Sequence, residues 1–249
     1  FAIPASVGAG LLIGFILPAV ALSMLHLHQG YSLYNIGLTC GFLGLFAASF
    51  LKAGEASLGS LPYWYNGQNI YLAALIPAIS VLLLVLSIVM GGKKVFRQFL
   101  TVQKQTGRLP SDFFNLVSLE SGLFNAGVVG LAGSVLVFVT GAPFNGPVIG
   151  GLFTVIGFGA FGTHPKNSWP VVAGVAICAT VFGMPLSSPG VILALLFCTT
   201  LAPVAGQFGI IMGIAAGFTH MVMVSQTGAW QGTMNLYNNG FAGGVTAAL

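Results

Sequence analysis

The chain has 249 residues, of which 56% are hydrophobic and only 4% are charged. Soluble globular domains carry about 25% charged residues, so this composition excludes that class and predicts a polytopic membrane protein. The formal net charge of +4 does not indicate a nucleic-acid partner, because five of the seven basic residues fall within residues 93–108.

Apolar runs predict an all-α, polytopic membrane helical bundle of about eight segments in a single integral membrane domain, residues 1–249. The hydrocarbon core of a bilayer needs about 20 residues of helix. The runs that approach this length are 4–25, 33–51, 70–91, 122–140, 146–162, 169–184, 189–205 and 207–225. Several of them fall short, and prolines interrupt the second half of the chain, which predicts short, broken or re-entrant helices.

Residues 93–120 form an extended polar stretch between two apolar runs. A cluster of basic residues alternates there with Phe96, Phe99 and Leu100, which predicts an interfacial amphipathic helix. Because Lys and Arg are enriched in cytoplasmic loops, we expect residues 93–120 to be cytoplasmic in a multi-pass protein of the cell membrane. The lipid bilayer is the first expected partner.

A short phrase recurs inside the apolar sequence and predicts internal repeats. It reads LYNIG at 33–37, LFNAG at 123–127 and LYNNG at 236–240, with a looser copy, PFNGP, at 143–147. An amide without a partner in hydrocarbon costs several kcal/mol. Such an amide can cap a broken helix and line a polar path, or it can hydrogen-bond across a helix pair and line nothing.

Two histidines are further candidates for the polar path. His220 lies inside an apolar run, where an ionisable residue is a functional candidate, although a hydrogen bond between helices explains it as well. His164 lies in a polar turn, for which an interfacial position is the simpler interpretation and a place on a solute path the alternative.

Other chemistry has little support in the residues. The three cysteines are widely spaced in apolar runs, so neither a disulfide framework nor a metal site is predicted. The three acidic residues lie outside the middle of every apolar run, and no hydrolase motif is present. We therefore expect no enzyme, no cofactor and no metal.

Three sequence blocks carry a family resemblance. They are GYSLYNIG at 30–37, APFNGPVIGG at 142–151 with FGTHPKN at 161–167, and NLYNNGFAGG at 235–244. With these blocks the chain resembles the DUF1576 family of bacterial and archaeal membrane proteins. Members are longer, so the resemblance implies that this chain is a fragment, and the family offers no established function.

Two functions follow as hypotheses. The first is a transporter or channel for a small polar or neutral solute. The second is a non-transporting membrane subunit or scaffold whose amides only join helices, and the residues leave open whether copies associate into an oligomer. The predicted solute path comprises Asn35, Asn125, Asn145, Asn238, Asn239, His220 and His164.

Overall fold

A computed structural model describes residues 3–55, 63–232 and 238–249. All regular structure in these ranges is helical, which confirms the predicted all-α class. Leu236 and Tyr237 of the last repeated phrase lie outside the described residues. The helices are α1 (Ile3–His28), α2 (Asn35–Ala53), α3 (Ile70–Gly91), α4 (Lys94–Val102), α5 (Phe113–Leu116), α6 (Leu119–Thr140), α7 (Gly146–Gly159), α8 (Pro165–Val181), α9 (Pro189–Phe197), α10 (Ala202–Phe208), α11 (Ile210–Trp230) and α12 (Asn238–Ala248).

Six helical stretches of the described residues are long and apolar enough to cross a membrane. These stretches indicate an integral membrane protein. The predicted segments 146–162 and 169–184 correspond to α7 and α8, which have 14 and 17 residues. At 1.5 Å per residue, α7 is about 21 Å long and falls short of a hydrocarbon core of about 30 Å. The six stretches are Val7–His28, Asn35–Ala53, Ile70–Gly91, Leu119–Thr140, Pro189–Phe208 and Ile210–Trp230.

One of these stretches is interrupted. A 3₁₀ turn, Cys198–Leu201, separates α9 from α10. Pro203 explains the break, because proline has no N–H to donate to the carbonyl four residues earlier, which belongs to Thr199. The hydroxyl of Thr163 donates to that carbonyl instead, at 3.0 Å.

A loop packed around the buried Gly107 joins several helix ends on one side of the bundle. We call residues 103–110 the strap. The Leu109 amide donates to the Gly30 carbonyl at 3.0 Å, and a Cβ on Gly107 would stand 2.0 Å from the Gly162 carbonyl oxygen. The strap therefore holds the α1–α2 and α7–α8 connections together, and we call this side the strap end.

Glycines let several helix pairs approach closely, as small residues do in membrane bundles. A Cβ on Gly174 of α8 would stand 2.1 Å from the Ile214 carbonyl oxygen of α11. Gly37 and Gly240 meet where α2 crosses α12, since a Cβ on Gly37 would lie 2.8 Å from the Gly240 Cα. The first and last copies of the repeated phrase are thus in contact.

Candidate functional site

The 3₁₀ turn between α9 and α10 is the centre of a buried polar cluster. The hydroxyl of Thr200 lies 3.1 Å from that of Ser32 and accepts a hydrogen bond from the Tyr34 amide at 2.8 Å. The Thr200 carbonyl also accepts from the Leu33 amide at 3.0 Å. These hydrogen bonds therefore connect the interruption between α9 and α10 to the start of α2. We call the set the break cluster; its side chains are His28, Ser32, Asn35, Asn125, Thr163, Thr199 and Thr200.

Asn35 begins α2 and is bonded on both sides of its amide. Its Nδ2 donates to the Ala21 carbonyl at 2.9 Å, and its Oδ1 lies 3.0 Å from His28 Nε2. The Ser32 amide donates to His28 Nδ1 at 3.3 Å. Because Nδ1 is the acceptor, Nε2 carries the proton and donates to Asn35, so the imidazole is neutral.

Asn125 is fully buried in α6 and closes the end of α7. Its Nδ2 donates to the carbonyls of Gly159 and Thr163, at 2.7 and 2.8 Å. Its Oδ1 accepts from Gln103 Nε2 of the strap at 3.2 Å. The carbonyls at a helix C-terminus have no partner within their own helix, and this amide supplies a donor to the last carbonyl of α7, that of Gly159, and another to Thr163 in the loop before α8.

His164 caps α8 at the strap end. Its Nδ1 accepts from the backbone N–H of Asn167 at 3.2 Å, while the backbone N–H of His164 donates to the side-chain Oδ1 of Asn167 at 2.8 Å. Its Nε2 donates to the Gln105 carbonyl at 2.9 Å. Burial lowers the pKa of His164 to about 4, so the ring is neutral at physiological pH.

Asn145 lies away from this cluster, at the opposite end of α7. It is the N-cap of α7, with Oδ1 accepting from the Val148 amide at 3.2 Å. Its Nδ2 donates to the Tyr65 carbonyl at 2.9 Å, which ties α7 to the loop before α3. The length of α7 separates Asn145 from Asn125 by about 20 Å.

His220 differs from every residue above, because both of its ring nitrogens are buried without a hydrogen-bond partner. It is fully buried in α11, and its nearest polar group is the side chain of Asn239 of α12, although no hydrogen bond of ordinary geometry joins the two. Gly243 lies between His220 and the break cluster. A Cβ there would stand 2.7 Å from Thr200 Cγ2 and 3.7 Å from His220 Nδ1.

Further unpartnered atoms lie along the same two helices. Among the described residues, eight buried side-chain nitrogen and oxygen atoms have no partner, and five of them belong to His220, Asn239, Gln231 and Thr246. Thr246 follows Asn239 by two helical turns, so both lie on one face of α12. Gln231 ends α11, and its Nε2 donates to the Gly41 carbonyl at 3.0 Å while its Oε1 has no partner. We call these four side chains the α11–α12 row.

The structure thus divides the predicted path residues into three groups. Asn35, Asn125 and His164 lie at or beside the break cluster and the strap. His220 and Asn239 form the centre of the α11–α12 row, and Asn238 joins it through its carbonyl, which accepts from Thr227 Oγ1 at 3.4 Å. Asn145 is remote from both.

Sequence reasoning missed the hydroxyl groups that complete the break cluster. Thr199 and Thr200 occupy an apolar run four and three residues before Pro203, and that spacing is a readable signal for a carbonyl that needs an outside donor. Ser32 and Thr163 carry no such signal. Among the described residues no group of three His, Cys, Asp or Glu side chains could hold a metal ion.

Comparison with known proteins yields one family. A family described as a protein of unknown function, DUF1576, matches residues 1–53 and 92–249, which include every helix of the described chain except α3. No curated protein and no solved structure matches the chain. The family match covers most of the sequence, and the chain belongs to the DUF1576 family.

Proposed function

We propose that the protein transports a small polar or neutral solute across the membrane and that the α11–α12 row binds it. The observation that carries the proposal is the pair His220 and Asn239, which interact with each other in the interior without a hydrogen bond of ordinary geometry to any group of the described chain. A buried polar group without a partner costs about 1–3 kcal/mol. A solute that hydrogen-bonds to these atoms recovers that cost.

The side chains of the row are spread along the lengths of α11 and α12. Eleven residues of α11 separate His220 from Gln231, and seven residues of α12 separate Asn239 from Thr246. At 1.5 Å per residue, these separations are roughly 17 Å and 10 Å along the helices. The row contains no Asp, Glu, Lys or Arg, which favours a solute recognised by hydrogen bonds and not by ion pairing.

An adjacent cavity reaches one member of the row, Thr246. It has a volume of about 430 Å³, and Thr246 lines it together with Thr219, the neighbour of His220. His28 and Tyr31 line it near the strap end. Cavities of about 300–1,000 Å³ accommodate small ligands.

The short helices and the repeated phrase fit such a role. We propose that α7 and α8, each too short to cross the bilayer easily, are broken or re-entrant segments, as in transporters built from such helices. The contact of Gly37 with Gly240 is compatible with an internal repeat. The basic residues of 93–108 favour a cytoplasmic strap end in the cell membrane.

The second candidate is a non-transporting membrane subunit. It is favoured by Asn35, Asn125 and Asn145, whose amides all donate to backbone carbonyls of other segments. These three side chains act as joints between helices whether or not solute passes.

A flux assay separates the two functions. The full-length protein is reconstituted in liposomes, and permeation of urea, glycerol and formamide is followed by stopped-flow light scattering. We expect accelerated flux of at least one solute and its loss in His220→Leu/Asn239→Leu. His26→Leu is the matched control, because His26 is exposed at the end of α1 and its loss should change nothing. Absence of flux for every solute, or unchanged flux in the double variant, contradicts transport through this row.

A further inference from the structure

The outer face of α4 carries basic and apolar side chains together. Lys93, Arg97 and Lys104 are separated by four and seven residues, which brings them onto one side of a helix. The backbone stays helical at both ends, with φ −62° and ψ −22° at Lys93 and φ −64° and ψ −8° at Gln103. The three charges therefore form a single stripe.

Two apolar side chains lie beside this stripe and face outward. Phe96 is 51% exposed and Leu100 is 61% exposed. The opposite face of α4 is fixed to the bundle, because Val95 and Val102 are buried. We call Lys93, Phe96, Arg97, Leu100 and Lys104 the α4 outer face.

The charges of this face are not neutralised within the described chain. The sequence has only three acidic residues. Glu120 pairs with Lys94, at 3.8 Å, and Asp112 caps α5 through the Phe114 amide. Glu55 follows α2, at the end of the bundle opposite the strap.

Because α4 follows a candidate membrane span directly, we expect its outer face at the membrane boundary. α3 is a candidate membrane span that ends at Gly91, and Gly92 turns the chain with φ +59°. α4 begins two residues later and is anchored on α6, where the Phe99 and Phe124 ring centres are 5.2 Å apart. A surface that is both cationic and apolar at this depth meets lipid headgroups and the first part of the acyl chains.

We propose that the α4 outer face binds the headgroups of anionic phospholipids, with Lys93, Arg97 and Lys104 contacting phosphate groups and Phe96 and Leu100 entering the boundary below them. This binding does not depend on solute transport. Charge complementarity selects the occupant, since zwitterionic lipid leaves three adjacent cations unbalanced. Each Lys or Arg near an anionic membrane surface favours binding about fivefold.

Local lipid preference can be measured on the full-length protein. A Phe96→Trp variant is placed in bilayers of equal parts phosphatidylcholine and phosphatidylglycerol, with one or the other lipid brominated. The added fluorescence, relative to the parent protein, should be quenched more strongly by brominated phosphatidylglycerol. Lys93→Gln/Arg97→Gln in this background should lower the relative preference about fivefold for each lost charge.

Lys52→Gln/Lys94→Gln is the matched control. It removes the same charge, but Lys52 lies at the far end of α2 and Lys94 is paired with Glu120, so the preference should be retained. Soluble glycerol phosphate should not reduce the quenching difference, which separates a lipid headgroup from free phosphate. Equal quenching by the two lipids, or equal loss in both double variants, overturns the proposal and points to an acidic protein partner or to none.

Discussion

The break cluster and the α11–α12 row use the same kinds of side chain and lie on either side of Gly243, yet their hydrogen bonding is opposite. In the break cluster, Asn35 and Asn125 meet backbone carbonyls and further side chains. In the row, His220 and Asn239 face each other with atoms that have no partner. The presence of a buried amide therefore does not reveal its role. Its hydrogen-bond partners show whether it joins two helices or is available to bind a solute.

This difference has an energetic consequence. Removing one partner of a satisfied buried pair leaves the other unpaired, which costs about 1–3 kcal/mol for each such group. Removing a group that was already unpaired leaves no partner without a hydrogen bond, and it removes the free-energy cost of burying that group. Substitutions in the break cluster should therefore lower the free energy of unfolding, whereas substitutions in the α11–α12 row should leave it unchanged or raise it.

Asn125→Leu should have the largest effect. The variant leaves the carbonyls of Gly159 and Thr163 and the side-chain amide of Gln103 without their hydrogen-bond partner. We therefore expect the free energy of unfolding to fall by about 4 kcal/mol. Reversible unfolding in detergent measures this loss. Asn66→Leu, on an exposed loop, is the control and should change stability by less than about 0.5 kcal/mol. A small loss in Asn125→Leu would show that the amide is not a joint.

Acid should weaken the strap end through His164. Its pKa is about 4 in the folded protein against 6.5 for the ordinary group. The unfolded chain therefore binds the proton first, and stability falls as the pH drops from 6.5 toward 4. The expected loss is about 2 kcal/mol near pH 5. In His164→Asn, which preserves an N-cap acceptor, this part of the pH dependence should disappear; its persistence would assign the effect elsewhere.

Gly243→Ala tests the boundary between the two regions. The new methyl group would stand 2.7 Å from Thr200 Cγ2, so the helices must adjust, at a cost of about 1–3 kcal/mol. It also narrows the space beside His220 and should reduce solute flux per folded molecule. Gly150→Ala is the matched control, because nothing lies within 4 Å of a Cβ there, and it should be neutral or slightly stabilising.

His220→Leu should have the smallest effect on stability. The ring makes no hydrogen bond of ordinary geometry, so we expect the free energy of unfolding to stay constant or to rise by about 1 kcal/mol. The same reversible unfolding assay measures it. A loss comparable to that of Asn125→Leu would reveal a structural bond at His220 and remove the contrast between the two regions.

The bundle could be predicted from sequence where apolar length alone decides the structure. The spans at α1, α2, α3 and α6 follow from continuous apolar runs, and the short α7 and α8 follow from the Pro and Gly residues around them. The amphipathic α4 follows from its alternation of basic and apolar residues. The helix α12 is not among the predicted spans, because its eleven residues are too few to meet the length criterion.

The hydrogen-bond partners could not be predicted, because they are distant in sequence. Asn125 bonds to carbonyls 34 and 38 residues away, and Ser32 pairs with Thr200 across 168 residues. The copies of the repeated phrase look alike in sequence, and only the packing decides that Asn35 and Asn125 are hydrogen-bonded. The amide oxygen without a partner belongs to Asn239, the additional Asn of the last copy, and not to Asn238, which occupies the position of Asn35 and Asn125. The phrase therefore identifies buried amides and not their roles.

The most direct test is to measure flux and unfolding free energy together for His220→Leu/Asn239→Leu and for Thr200→Val, with the full-length protein in the same liposome preparation. The proposed account predicts that the double variant keeps or gains stability and loses flux, whereas Thr200→Val loses about 1–3 kcal/mol and keeps its flux per folded molecule. If the double variant loses stability instead, or retains flux while folded, the α11–α12 row is a structural joint like the break cluster.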